Sequence, residues 1–179
     1  NDTLRQWEFH DLLFHSKVRV GRSDSPYGGT YRFVGEIEQS PMAKHIATDT
    51  IITLPQPDLQ AIHASDRSFA EVLESRTSRR RHHPEQAITL QQLSEFLYRS
   101  ARIRHEQSFK KEIHGQRVQL HHSNRPYPSG GASYELELYL SISRCDSLEA
   151  GFYHYDPQHH QLEKVSGITP AVQHLLWDA

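Results

Sequence analysis

The sequence predicts an α+β domain, and three observations predict it. Two stretches with apolar residues at helical spacing each open on a capping signature, at Ser68 and at Thr89. Residues 134–142 alternate with a period of two, and residues 152–165 read as strand, turn and strand. The resulting order is helix, helix, strand, hairpin, helix, not the regular strand–helix alternation of a doubly wound sheet.

In chain order, residues 1–17 ("NDTLRQWEFHDLLFHSK") carry Leu4, Trp7, Phe9, Leu12, Leu13 and Phe14 in a helix-like distribution, with Asp2 or Thr3 available as cap. Residues 21–45 are dense in Gly, Ser and Pro and read as irregular loop, with a short strand expected over 31–34. "TIITLPQPDL" is an extended piece interrupted by Pro55 and Pro57, a connector into the main domain. The first clear helix begins at Ser68, where Glu71 stands at the capping-box position and Phe69, Val72 and Leu73 give an apolar side; it is expected to end over 76–78. The second, "TLQQLSEFLYRSARI", opens on Thr89 with Gln92 three residues on and places Leu90, Leu93, Phe96 and Leu97 on one face. In the strand over 134–142, Leu136, Leu138, Leu140 and Ile142 are expected to face the core. Asp156-Pro157 marks the hairpin turn, and Thr169-Pro170 supplies cap and first-turn proline for a last helix through Leu175, Leu176 and Trp177. These elements divide into an N-terminal helical and loop-rich appendage, residues 1–60, and a main domain, residues 61–179. The helix stopping at "LLWDA" without a closing strand leads to the expectation that part of the fold lies beyond Ala179 or comes from another chain.

Composition removes several classes of function. With 36% hydrophobic residues in 179, the chain can bury one real core. No apolar run approaches the roughly 20 residues of a membrane span, and no secretory signal stands at Asn1, so a cytoplasmic protein is expected. A single cysteine, Cys145, excludes an internal disulfide and any multi-thiolate zinc site. The formal charge of −2 provides no global attraction to nucleic acid. Fourteen histidines include the pairs His82-His83, His121-His122 and His159-His160. Neighbouring residues on a strand point to opposite faces and none of these pairs has helical ligand spacing, so no metal is assigned.

Two segments carry the chemistry. "ESRTSRRRHHPE" places Arg76, Arg79, Arg80 and Arg81 within six residues, with Thr77 and Ser78 between them. Guanidinium forks match phosphate oxygens bidentately and hydroxyls add shorter bonds, so this is a phosphate-clamp pattern. The plainer alternative is a basic helix terminus complementing its dipole. A nucleic-acid patch lacks interleaved aromatic residues for base stacking. The other segment is "PSGGASYELELYL", in which Gly130 and Gly131 bare the backbone beside the Ser129 hydroxyl, an arrangement suited to a flat heteroaromatic ring. Its plainer alternative is a loop leading into a strand.

In their order and spacing, "RTSRR", "TLQQLSEFLYRSARI", "PSGGASYELELYL" and "GFYHYDPQHHQLEKV" resemble the nitroreductase superfamily of FMN-binding proteins. The closer resemblance is to its SagB-type dehydrogenase branch, which includes the azoline oxidases of ribosomal peptide natural products. "WEFHDLLFHSKVR" and "ITLPQPDL" look like the region preceding the flavin domain in that branch. The resemblance implies an FMN-binding nitroreductase-like fold, here without its later half, and an FMN-dependent oxidoreductase. It implies that Arg76, Ser78 and Arg80 take the FMN phosphate and ribityl end, with Thr77 where the family usually shows another arginine. Pro128, Ser129, Gly130 and Gly131 would line the flavin ring.

The same resemblance implies a two-electron oxidation of a peptide or small-molecule substrate, by a homodimer or together with a chain supplying the missing half; the charge and the lack of a span-length apolar run lead to the expectation of no nucleic-acid or membrane partner. The family's lysine–tyrosine pair lies in the half not present, and the catalytic residues stay unassigned. His154 and Tyr155 are chemically able bases, although hairpin residues more often serve packing. Two other classes stay open: a flavin-free half-domain that binds a peptide or partner, and a histidine-rich metal-binding module.

Overall fold

The computed structural model describes residues 2–22, 29–81, 83 and 85–178. Part of the expected loop (23–28), His82 of the His82-His83 pair, the chain end at Ala179 and the side chains of Asp2 and Thr3 lie outside the described residues. The chain divides into two compact units, Asn1–Glu38 with Lys111–Val118, and Gln39–Lys110 with Gln119–Ala179.

In the first unit the expected N-terminal helix is present in two pieces, a 3-10 turn over Asp2–Gln6 and helix α1, Phe9–Lys17. No residue of α1 is buried, and Phe9, Leu13 and Phe14 are exposed. The strand expected over 31–34 is instead a 3-10 turn, Gly29–Phe33, in which Arg32 lies over the Phe33 ring. A single short apolar stretch without a partner strand cannot close a ladder, and a local turn satisfies its backbone instead.

The second unit is built on a four-stranded antiparallel sheet. Its strands are β1 (Ile51–Thr53), β5 (Tyr139–Ile142), β7 (Gly151–Asp156) and β8 (Gln161–Ser166), in the order β1-β8-β7-β5. "TIITLPQPDL" therefore supplies an edge strand as well as a connection. The predicted hairpin is the centre of the sheet, with Tyr155 opposite Leu162 and His154 opposite Glu163. β5 is shorter than the period-two run. Ala132 and Tyr134 have left-handed φ of 55° and 46°, which breaks the extended chain, and pairing with β7 runs only from Tyr139 opposite His154 to Ile142 opposite Gly151. Leu140 and Ile142 pack on the core as expected, whereas Leu136 and Leu138 are exposed.

Three helices of this unit precede the sheet's central strands. Helix α2, Leu59–Ser65, does not appear in the sequence reading; Asp58 caps it, its Oδ1 accepting from the amides of Gln60 and Ala61. Helix α3, Phe69–Ser75, is capped by Ser68, whose Oγ accepts from the Glu71 amide at 3.2 Å; the reciprocal arm of the expected box is not made. No residue of α3 is buried, so its apolar side faces out. Helix α4, Leu90–Ala101, has the full box, with Thr89 Oγ1 accepting from the Gln92 amide and Gln92 Oε1 from the Thr89 amide. Its buried face is Leu93, Ser94, Leu97 and Ala101; Phe96, expected on that face, is exposed, because it is only one residue from Leu97 and so lies roughly 100° around the helix from it. The closing helix α5, Pro170–Asp178, starts as expected, with Thr169 Oγ1 accepting from the Val172 amide.

Two paired elements went unforeseen. Strands β3 (His105–Ile113) and β4 (Gln116–Asn124) form a two-stranded sheet joined through His114-Gly115, both with positive φ, as a two-residue hairpin turn requires. Short parallel strands β2 (Ile88–Thr89) and β6 (Cys145–Asp146) set the start of α4. The core lies between α4 and one face of the sheet: Leu93, Leu97 and Ala101 cluster with Leu54, Cys145, Tyr153, Tyr155 and Leu162. No described helix is long and apolar enough to cross a membrane.

Candidate functional site

Arg76 is the C-cap of α3, and Thr77, Ser78 and Arg80 follow it in exposed, non-regular chain. Neither Arg76 nor Arg80 makes an ion pair or side-chain hydrogen bond among the described residues. Each guanidinium is therefore available to an anion. Nothing in α3 holds this stretch against the core, since the helix buries none of its residues.

The second segment is shaped more firmly. Gly130–Ala132 is a 3-10 turn in which Gly131 has φ 61°. Ser129 Oγ accepts from the Tyr134 amide at 2.9 Å and donates to Glu135 Oε2 at 3.1 Å. That contact, together with the Glu135 backbone amide as the larger cause, holds the Glu135 carboxyl below the usual range. A clasp from Arg125 fixes this turn: its amide donates to Tyr134 Oη at 3.2 Å and its guanidinium lies 4.9 Å from the centre of the Tyr134 ring. Tyr127 packs edge-on against Tyr134, closing the loop. Arg125 is itself buried, donating to Tyr127 Oη and to the Met42 carbonyl. Its position beside the Pro-Ser-Gly-Gly stretch was the sequence signal for this role.

The two glycines differ. An added Cβ at Gly131 would meet a left-handed backbone, so conformation alone demands glycine there. At Gly130 a Cβ would meet no atom within 4 Å. Among the described residues nothing sterically requires glycine at 130.

Among the described residues, no hydrogen bond, ion pair or ring contact joins 76–80 to 128–131. Of two open clefts, one is lined by Gln92, Glu95, Phe96, Arg99 and Ser100. The other, of about 710 Å³, has Glu85 and Asp146 in its wall. Neither contains the arginines or the glycine turn, and the carboxylates of the larger one are unsuited to a phosphate.

His154 and Tyr155 are both committed. Tyr155 Oη donates to His160 Nδ1 at 2.8 Å. Ser94 Oγ donates to the Pro55 carbonyl and must therefore accept from His160 Nε2, 2.9 Å away, which fixes the tautomer with its proton on Nε2. Burial pushes the Tyr155 phenol up and the His160 imidazole down, both toward their neutral forms. This chain ties α4 to the hairpin and keeps Tyr155 from solvent. His154, fully buried, sits between Glu163 Oε2 at 2.9 Å and Glu137 Oε2 at 3.0 Å.

The chain is similar to known proteins over parts of its length. Residues 1–24 match the family model for the cyanobactin oxidase ThcOx, and these residues contain most of the helical stretch through α1. Over 109 residues, 61% of the chain, it is 28% identical to a Methanocaldococcus jannaschii protein named "Putative nitroreductase". Over 55 residues, 30% of the chain, it is 33% identical to the trifolitoxin-processing protein TfxB of Rhizobium leguminosarum bv. trifolii. Over 47 residues, 25% of the chain, it is 43% identical to the indigoidine synthase of Dickeya dadantii. These matches span 44%, 15% and 3% of the respective relatives, so the chain corresponds to less than half of each. The likenesses support, weakly, a nitroreductase-like oxidoreductase with an α+β architecture.

Proposed function

We propose that this chain carries part of an FMN site in a nitroreductase-like oxidoreductase that oxidises azoline rings to azoles on a peptide. The observation that carries the reading is the presence of two uncommitted features: guanidiniums at Arg76 and Arg80 that have no acidic partner among the described residues, and a glycine at 130 where an added Cβ meets no described atom within 4 Å. The likenesses to a cyanobactin oxidase model, a nitroreductase and a trifolitoxin-processing protein support the reaction class.

The residue types are ones that an FMN phosphate and ring can use. Arg76 and Arg80 would hold the phosphate, Thr77 and Ser78 would donate to its remaining oxygens, and Pro128 to Gly131 would form a ledge for the ring. Bound there, FMN supplies the two-electron acceptor. The Ser129 hydroxyl donates to Glu135, so it contributes by accepting from the Tyr134 amide and fixing the turn. None of the buried hairpin groups serves as base in this reading, because His154 and Tyr155 are enclosed and already bonded. The exposed side of α3, Phe69, Val72 and Leu73, would pack on a second copy or on a chain supplying the rest of the site.

The double substitution Arg76→Ala with Ser129→Ala tests this. FMN affinity measured by flavin fluorescence should fall at least about tenfold, since a charge-assisted hydrogen bond contributes about 1.5–3 kcal/mol, while the circular dichroism melt stays within a few degrees. Equal FMN affinity in variant and parent would remove the site assignment.

A further inference from the structure

The face of the sheet opposite α4 is polar and holds two buried carboxylates, Asp156 and Glu163. Along β7, Tyr153 and Tyr155 point to the apolar core, so His154 and Asp156 point to the other side. Asp156 is fully buried. Its Oδ1 accepts from the amides of Gln158 and His159, forming the hairpin turn. Its Oδ2 faces His159 Nδ1 at 2.6 Å, Gln161 Nε2 at 3.2 Å and His45 Nδ1 at 3.5 Å. Glu163, also buried, lies 3.9 Å from the same His45 nitrogen. Among the described residues neither Asp156 nor Glu163 is ion-paired with a lysine or arginine. Their partners are backbone amides, Gln161 and histidines, and a histidine carries charge only when protonated. Buried carboxylates are ordinarily paired with a cation or coordinate a metal.

We propose that His45, Asp156 and His159 form a binding site for a divalent first-row transition metal, with zinc the best match. One ligand atom from each of the three lies within 4.8 Å of the others, and Asp156 Oδ2 is 2.6 Å from His159 Nδ1 and 3.5 Å from His45 Nδ1. A tetrahedral ion with bonds of about 2.0–2.2 Å sets ligand atoms roughly 3.4 Å apart, so small rotations of two exposed rings complete the geometry. Two imidazoles with one carboxylate select zinc and its neighbours over calcium or magnesium, which take oxygen ligands. Gln161 and the two turn amides hold the carboxylate in place, as outer-shell partners of metal ligands do. Both histidine side chains are more than half exposed, 53% and 56%, leaving the fourth position open to water or to a donor from a bound partner. A bound ion would fasten the chain around His45 to the hairpin turn, 111 residues away in sequence. That separation hides the cluster from any reading of neighbouring histidines.

This inference does not depend on the flavin reading. Zinc sulfate titrated calorimetrically into tag-free, chelator-treated protein near neutral pH should show one equivalent bound, with cobalt giving visible ligand-field bands. His45→Ala and His159→Ala should each weaken zinc at least tenfold; both rings are exposed, so the fold survives. His105→Ala, an exposed histidine outside the cluster, should leave the affinity unchanged. Absence of stoichiometric binding, or equal affinity in the parent, His45→Ala and His159→Ala, would overturn the proposal.

Discussion

The hairpin β7–β8 and the stretch from α3 through Arg81 lie in one compact unit and could hardly differ more in how their side chains are used. In the hairpin, Tyr153, Tyr155 and Leu162 fill the core, and His154, Asp156, His160 and Glu163 are each hydrogen-bonded. Among the described residues no buried side-chain nitrogen or oxygen lacks a partner. In the other stretch, Phe69, Val72 and Leu73 are exposed and Arg76 and Arg80 pair with nothing described. The buried polar groups of the hairpin find their hydrogen-bond partners within the chain. The guanidiniums of Arg76 and Arg80 have none among the described residues.

The largest expected difference between the regions is in stability. Leu162→Ala empties a fully buried site and should cost about 2–5 kcal/mol in denaturant unfolding. Leu73→Ala, on the exposed side of α3, should stay within about 0.5 kcal/mol. Similar losses at both positions would mean that α3 is packed in solution and break the comparison.

A smaller effect concerns pH. Burial holds His160 below its ordinary value, so the unfolded chain takes up a proton near pH 6.5 before the folded one does. Stability should therefore be unaffected by this group above about pH 6.5 and fall as pH drops toward the folded value, by at most about 1.4 kcal/mol per pH unit. His160→Gln should flatten that part of the profile relative to the parent. An unchanged slope would show that other histidines set it.

The smallest stability effect sharpens the contrast most. Gly130→Ala places a methyl in open space and should change the unfolding midpoint by less than about 0.5 kcal/mol. If the ledge receives a flat ring, the same methyl should still weaken FMN binding measurably. A variant that loses stability and keeps FMN affinity would assign Gly130 to folding.

What was legible in the sequence follows the same division. Signals satisfied locally were readable: the Thr89–Gln92 box, the Thr169-Pro170 start and the hairpin through Asp156-Pro157 are all present. Signals requiring a distant partner misled. The run over 134–142 has strand alternation along its whole length, yet left-handed residues at 132 and 134 and the position of β7 confine pairing to four residues. Strands β3 and β4 lack clean alternation and bury little, with only Ile113, Leu120 and Ser123 enclosed, so periodicity did not reveal them. At the candidate site, residue types could be read but not their surroundings. The role of Arg125 depends on Tyr134 folding back over it, and the His45–Asp156–His159 grouping depends on the sheet.

The central claim is that the arginine stretch and the glycine turn are left unfinished because they receive FMN. The most direct test is to mix the purified chain with FMN, separate it by gel filtration, and record absorbance at about 450 nm, a property of the cofactor, across the protein peak. The account predicts flavin absorbance co-eluting with the protein, and its loss in Arg76→Ala with Ser129→Ala. A colourless protein peak, with all the flavin in the small-molecule fraction, would contradict it.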